Sequence, residues 1–522
     1  MIARESKQLV YTHYNLVVAV SGDTDIQKCT NHLENSFSRM GIHISKRAYN
    51  QLELFVNSFP GNCYGMNADY DRFLTLGDAA TCLMYKERIV HNEDTPLKIY
   101  YTDRQGVPVA IDITGKEGKE KLTDNSNFFC LGPSGSGKSF FMNHLVRQYY
   151  EQGTHVVLVD TGNSYQGLCG MIRRKTGGAD GVYFTYTEEK PISFNPFYTD
   201  DYVFDVEKKD SIKTLLLTLW KSEDDKVTKT ESGELGSAVS AYIERIKADR
   251  SIVPSFNTFY EYMRDDYRKE LAERDIKVEK SDFNIDNMLT TMRQYYRGGR
   301  YDFLLNSTEN SDLLNKRFIV FEIDSIKENR ELFPVVTIII MEAFINKMRR
   351  LKGVRKQLIV EEAWKALSSA NMAEYLRYMY KTVRKYYGEA IVVTQEVDDI
   401  ISSPVVKESI INNSDCKILL DQRKYMNKFD QIQALLGLTE KEKGQILSIN
   451  MANNPSRLYK EVWIGLGGTQ SAVYATEVSA EEYLAYTTEE TEKVEVYRLA
   501  EKLGDDIEAA IRQLAERRRN KE

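Results

Sequence analysis

The sequence predicts an open α/β fold built on a mostly parallel sheet, and three observations carry that prediction. From Asn127 onward, short apolar runs alternate with segments of helical periodicity. Those runs are continuous rather than alternating, as in IVF, LIV and IVV, which is the pattern of parallel strands buried on both faces. A glycine-rich loop follows the first run directly and opens a helix.

The expected core strands are Phe128–Leu131, His155–Val159, Phe318–Ile323, Gln357–Val360, Ala390–Thr394 and Lys417–Leu420. Between the second and third lies Asp200–Asn315, helical in period and poor in strand signals, which reads as an all-helical insertion with an exposed loop at Lys221–Glu234. Residues 1–120 read as a separate, partial α+β region: strands at Tyr14–Val20 and Ile42–Ser45, a helix at Asp25–Met40, and further strands at Leu97–Thr102 and Val107–Ile113. The polar stretch Gly115–Asn127 marks a boundary, and Ala480–Glu522 reads as a charged helical tail whose basic end is a solvated helix terminus. The expected domains are therefore 1–120, a core of 121–199 with 316–479, the insertion 200–315 and the tail 480–522.

Composition narrows the classes. A chain of 522 residues with 42% hydrophobic and 28% charged residues is an ordinary folded, multidomain protein. Its net charge of −7 supplies no whole-chain positive excess to hold DNA. Six scattered cysteines with no C-x-x-C pair point to reduced thiols. All six histidines lie at or before His155, so chemistry in the rest of the chain proceeds without an imidazole. The run Val335–Ile345 contains Glu342 and is about half the roughly 20 residues a membrane span needs, so it is expected as a buried helix. With no export or anchoring signal read, action is expected in the cytoplasm or on a membrane's cytoplasmic face.

The strongest motif is GPSGSGKS, comprising Gly132, Pro133, Ser134, Gly135, Ser136, Gly137, Lys138 and Ser139, with Phe140 next in the helix. It matches the phosphate-loop pattern between a strand and a helix, so loop amides and the helix N-terminus face phosphates. Lys138 is expected to reach the β- and γ-phosphates, with ATP as the nucleotide, and the Ser139 hydroxyl to ligate Mg²⁺. In QLIVEEAW a buried strand ends in two acids. Glu361 is assigned to the metal and Glu362 to the attacking water. Gln395, at the carboxyl end of the next strand, is placed to contact the γ-phosphate or that water.

GPSGSGKS, the SFNPF turn Ser193–Phe197, IVEEAW, KTVRKYYG from Lys381 to Gly388, and VTQEVDDI occur in the order found in VirB4-like ATPases of type IV secretion systems. The chain resembles in particular the TraG family of Bacteroides conjugative transposons. That resemblance covers most of residues 120–480 and implies a RecA-like motor core with a helical insertion. It further implies a homohexamer beside other secretion components on the cytoplasmic face of the inner membrane, and ATP hydrolysis that powers apparatus assembly or substrate transfer. Family members often carry Asp-Glu where this chain has Glu361-Glu362, and their N-terminal domain is larger, so the chain is expected to begin inside that domain. Ring ATPases commonly borrow an arginine from the neighbouring subunit; Arg384 and Arg423 are the candidates. Two alternatives share the loop: a DNA-translocating hexamer of the coupling-protein or HerA-like type, and an assembly protein that only binds nucleotide. A GTPase reading rests on Asn427-Lys428-Phe429-Asp430, which falls in a helix-like stretch away from a strand end.

Overall fold

The computed structural model describes residues 8–22, 24–39, 41–45, 49–67, 69–82, 92–114, 122–185, 193–198, 202–221, 225–275, 278–307, 313–326, 329, 332–361, 377–395, 410–451 and 457–520. They belong to two compact units, Met1–Val90 and His91–Glu522.

In the first unit β1 (Leu9–Thr12) pairs antiparallel with β2 (Phe73–Leu76), accompanied by helices Ile26–Arg39, Gln51–Asn57 and Gly77–Cys82. The expected helix at Asp25–Met40 forms. The expected strands at Tyr14–Val20 and Ile42–Ser45 do not. Alternation makes a strand only where a neighbouring strand accepts its amides, and Leu16, Val17 and Val18 stay about half exposed.

The second unit contains a sheet of eleven strands: β3 (Ile99–Thr102), β4 (Pro108–Ile111), β5 (Phe128–Leu131), β6 (His155–Asp160), β7 (Val182–Thr185), β8 (Phe318–Glu322), β9 (Lys356–Glu361), β10 (Gly388–Thr394), β11 (Cys416–Leu419), β12 (Tyr459–Leu466) and β13 (Gln470–Glu477). Their spatial order is β4-β3-β13-β12-β11-β5-β10-β9-β6-β8-β7. Every pairing from β11 to β7 is parallel, and every pairing from β11 to β4 is antiparallel. The six expected core strands all lie in the parallel part. β3 and β4, expected with the N-terminal region, instead extend this sheet. Tyr101 stacks on Phe141, and the Tyr100 amide donates to Gln148 Oε1 at 2.8 Å, so β3 folds onto helix Lys138–Glu151.

The insertion is helical as expected, with its longest helices at Val206–Trp220 and Lys229–Ala248. The expected loop at Lys221–Glu234 is corrected. Thr228 caps the second helix, the Glu231 carboxylate accepts from the Thr228 amide, and the stretch is helix from Lys229 onward. Val335–Ile345 lies inside the buried helix Leu332–Arg350. Tail helices Ala480–Tyr486, Glu490–Lys502 and Ile507–Arg519 dock on the core through ion pairs such as Arg147–Glu482 and Arg174–Asp506. The basic end is tied in by Arg518 to Glu492 and Arg519 to Glu481. Among the described residues, no helix is long and apolar enough to cross a membrane.

Candidate active site

β5 is the sixth strand of the eleven, and its carboxyl end turns into the loop 132–137. Gly137 caps the following helix at φ +90°, a left-handed conformation open to glycine at no steric cost. A side chain on Gly132 would strike Ser136 Oγ at 2.7 Å and Leu420 at 3.0 Å. The loop is stitched to its neighbours: the Gly132 amide donates to Thr394 O of β10 at 3.0 Å, and the Leu420 amide to Leu131 O at 3.0 Å. Lys138 begins the helix and is 8% exposed. Ser136 Oγ is buried with no partner among the described residues, and the helix's first amides lack helical acceptors. Both features suit a polyphosphate. Phe140 supplies a backbone amide in that first turn while its ring packs on Tyr483 and Tyr486.

Parallel register brings other acids to the same sheet edge. Glu361 ends β9, Asp160 ends β6 and Glu322 ends β8, and those three strands are neighbours. Asp160 accepts from the Ser164 amide at 2.6 Å and the Gly162 amide at 3.2 Å. Glu322 accepts from the Asn163 and Asp324 amides, both at 2.7 Å. Burial, followed by the charges of Glu361 and Glu322, pushes the Asp160 carboxyl well above the usual range. Burial also raises Glu322, against the pull of those amides and of a hydrogen bond with Asp160. Neither acid stood out in the sequence, although each closes an apolar strand just as Glu361 does.

Glu361 Oε1 accepts the phenol O–H of the fully buried Tyr165. Burial, then the Glu361 charge, holds that phenol well above its ordinary range, so it stays a donor. On the opposite side Ser164 Oγ stands 3.3 Å from Ser139 Oγ, and Asn143 Nδ2 bonds both Ser139 O at 2.9 Å and Ser164 O at 3.1 Å. Hydroxyl and carboxylate together are a hard oxygen donor set that suits Mg²⁺. Lys493, from the tail, donates to Asn163 O.

The remaining expected residues separate. Glu362 lies outside the described residues. Gln395 is half-buried directly after β10, on the loop's edge of the sheet. Arg423 follows β11 on the same edge and is engaged by Asp421, with Nε 2.9 Å from Oδ1. Arg384 precedes β10, and its Nη1 donates to Asp124 O at 3.3 Å. It therefore stands at the opposite end of the strands, roughly 20 Å away at about 3.3 Å per strand residue. In the guanine-reading decoy, Phe429 is buried and the Asp430 carboxylate pairs with Lys443.

Residues 98–518 match the family model described as the TraG P-loop domain. The chain is similar to Protein TraC of Escherichia coli, 24% identical over 314 residues, covering 59% of this chain and 34% of TraC. It is also similar to type IV secretion system protein virB4 of Bartonella henselae, 24% identical over 319 residues, covering 61% of this chain and 36% of that protein. The chain thus spans about a third of the length of these curated relatives. Among solved structures it resembles VirB4 of Thermoanaerobacter pseudethanolicus, with a TM-score of 0.55 and 23% identity over 75% of this chain and 98% of that one. That likeness shows the fold, an α/β RecA-like P-loop core, as the motif order implies. Because the matched span takes in most of the sequence, the chain belongs to the TraG P-loop domain family.

Proposed function

We propose that this protein is an ATP-hydrolysing motor of a conjugative type IV secretion system, working as a homohexamer with other secretion components on the cytoplasmic face of the inner membrane. The observation that carries the reading is the phosphate loop at mid-sheet, with Glu361 ending β9 on the same edge, two strands away. Amides from Gly135 and Gly137 into the first turn of the helix, together with the Lys138 ammonium, hold the nucleotide phosphates, and Lys138 neutralises charge gathering on the transferred phosphoryl group. Ser139 and Glu361 would hold Mg²⁺, which when bound screens the phosphate charge. Glu362 takes the proton of the attacking water, and Gln395 orients that water against the γ-phosphate. Arg384 and Arg423 are the two candidates for the arginine lent by a neighbouring copy. DNA is not required as a partner by the chain's charge.

The test is nucleotide binding and turnover in two variants. Lys138→Ala abolishes nucleotide binding or turnover, whereas Glu362→Gln binds ATP and retains it unhydrolysed. Turnover at the unmodified rate in both variants, or a clear preference for GTP, overturns the assignment.

A further inference from the structure

The segment Asp160–Tyr165 touches both halves of the candidate cation site. At one end Ser164 Oγ meets Ser139 Oγ, and Ser164 O shares Asn143 with Ser139 O. At the other, Tyr165 donates its only O–H to Glu361 Oε1. The turn between them is held from beneath by two buried acids, Asp160 through the amides of Gly162 and Ser164, and Glu322 through that of Asn163. Asn163, at φ +52°, adopts the left-handed conformation that asparagine tolerates better than most residues, and Tyr183 fixes its side chain.

We propose that Tyr165 is a positioning residue for the cation end of the nucleotide site, orienting the Glu361 carboxylate, with Ser164 steadying the Ser139 hydroxyl. A strand-end carboxylate rotates about its terminal torsion unless something bonds it. A neutral O–H donor on Oε1 restrains that rotation without adding a positive charge that would repel the metal. The phenol is fully buried, so water does not replace the bond when the hydroxyl is removed. Partners of this kind commonly change metal affinity 10- to 100-fold when lost. The inference rests on the assignment of Ser139 and Glu361 to Mg²⁺.

The experiment titrates MgCl₂ into the full chain with a fluorescent ATP analogue and reads nucleotide binding, alongside binding in EDTA and thermal melting. Tyr165→Phe keeps the ring that fills the socket. It is expected to raise the Mg²⁺ concentration for half-maximal binding about tenfold, with affinity in EDTA and the melting temperature unchanged. In a Glu361→Gln background, Tyr165→Phe adds no further shift. Ser164→Ala moves the Mg²⁺ midpoint in the same direction and serves as the readout if Tyr165→Phe does not fold. An unshifted midpoint in Tyr165→Phe, an equal further shift on Glu361→Gln, or binding by the unmodified chain that ignores Mg²⁺ overturns the inference. Lys138→Ala separates the two levels: if it binds and hydrolyses ATP as the unmodified chain does, the reading of the whole site fails, and if it does not while Tyr165→Phe is silent, only the role of Tyr165 fails.

Discussion

The Lys208 ammonium and the Glu342 carboxylate meet at 2.6 Å with both side chains 4% exposed, and Ser211 adds a bond to the same carboxylate. They join the insertion to the buried helix Leu332–Arg350. Removing one partner strands the other charge, so Lys208→Ala is expected to cost about 3–5 kcal/mol. Replacing both, Lys208→Met with Glu342→Leu, recovers most of that loss; urea unfolding of the three proteins checks it. Single residues also mark where sequence ran out as a guide. Lys138, Ser139 and Glu361 were legible because loop spacing and an acid pair at a strand end each carry chemistry in one dimension. Asp160 and Glu322 were not, since an acid that closes a strand ordinarily faces water. Only the adjacency of β6, β8 and β9 turns them into buried neighbours of Glu361. Tyr165 was hidden for the same reason, lying 196 positions from the carboxylate it bonds.

Among the elements, the helix Lys229–Ala248 shows how local chemistry fixes a boundary. Thr228 accepts from the Glu231 amide, and Glu231 accepts from the Thr228 amide while Lys221 pairs with it. Thr228→Ala is expected to destabilise the chain by about 1 kcal/mol, read as a lower urea midpoint at unchanged slope. In sequence this box was concealed inside KSEDDKVTKTESGE, where a run of charges resembles a solvated loop. Six of the seven parallel strands were legible to within two residues because each is built on an unbroken apolar run; β7, a short and only half-buried edge strand, was not read. The hairpin β12–β13 was not, although Gly467 and Gly468 make its turn with positive φ. YKEVWIGL is buried almost throughout, so it lacks the in–out alternation that announces an antiparallel strand. Conversely Tyr14–Val20 alternates, yet β1 takes its partner from β2.

The whole molecule should respond to acid through His155. Burial first, then the charges of Lys347 and Arg317, pushes its imidazole down to about 4, against an ordinary value of about 6.5. Between those values the unfolded chain carries a proton that the folded chain refuses. Stability from this group is therefore complete above about pH 6.5 and lost as the pH falls toward 4. The raised carboxyls of Asp160 and Glu322 slope the opposite way, so the comparison is between the unmodified chain and His155→Gln. The loss of unfolding free energy on going from pH 7 to pH 5 is expected to be smaller in the variant, or reversed in sign, relative to the unmodified chain.

The sheet's antiparallel side has a consequence in time. β3 and β4 reach the sheet only through β13, and Thr102 bonds Glu477 across 375 positions. At a synthesis rate of 5–20 residues per second, roughly 20 to 75 s separate the emergence of these partners. Throughout that interval the edge of β3 that β13 pairs in the finished fold has no partner strand. This side of the sheet is thus completed by the last strand made, not the first.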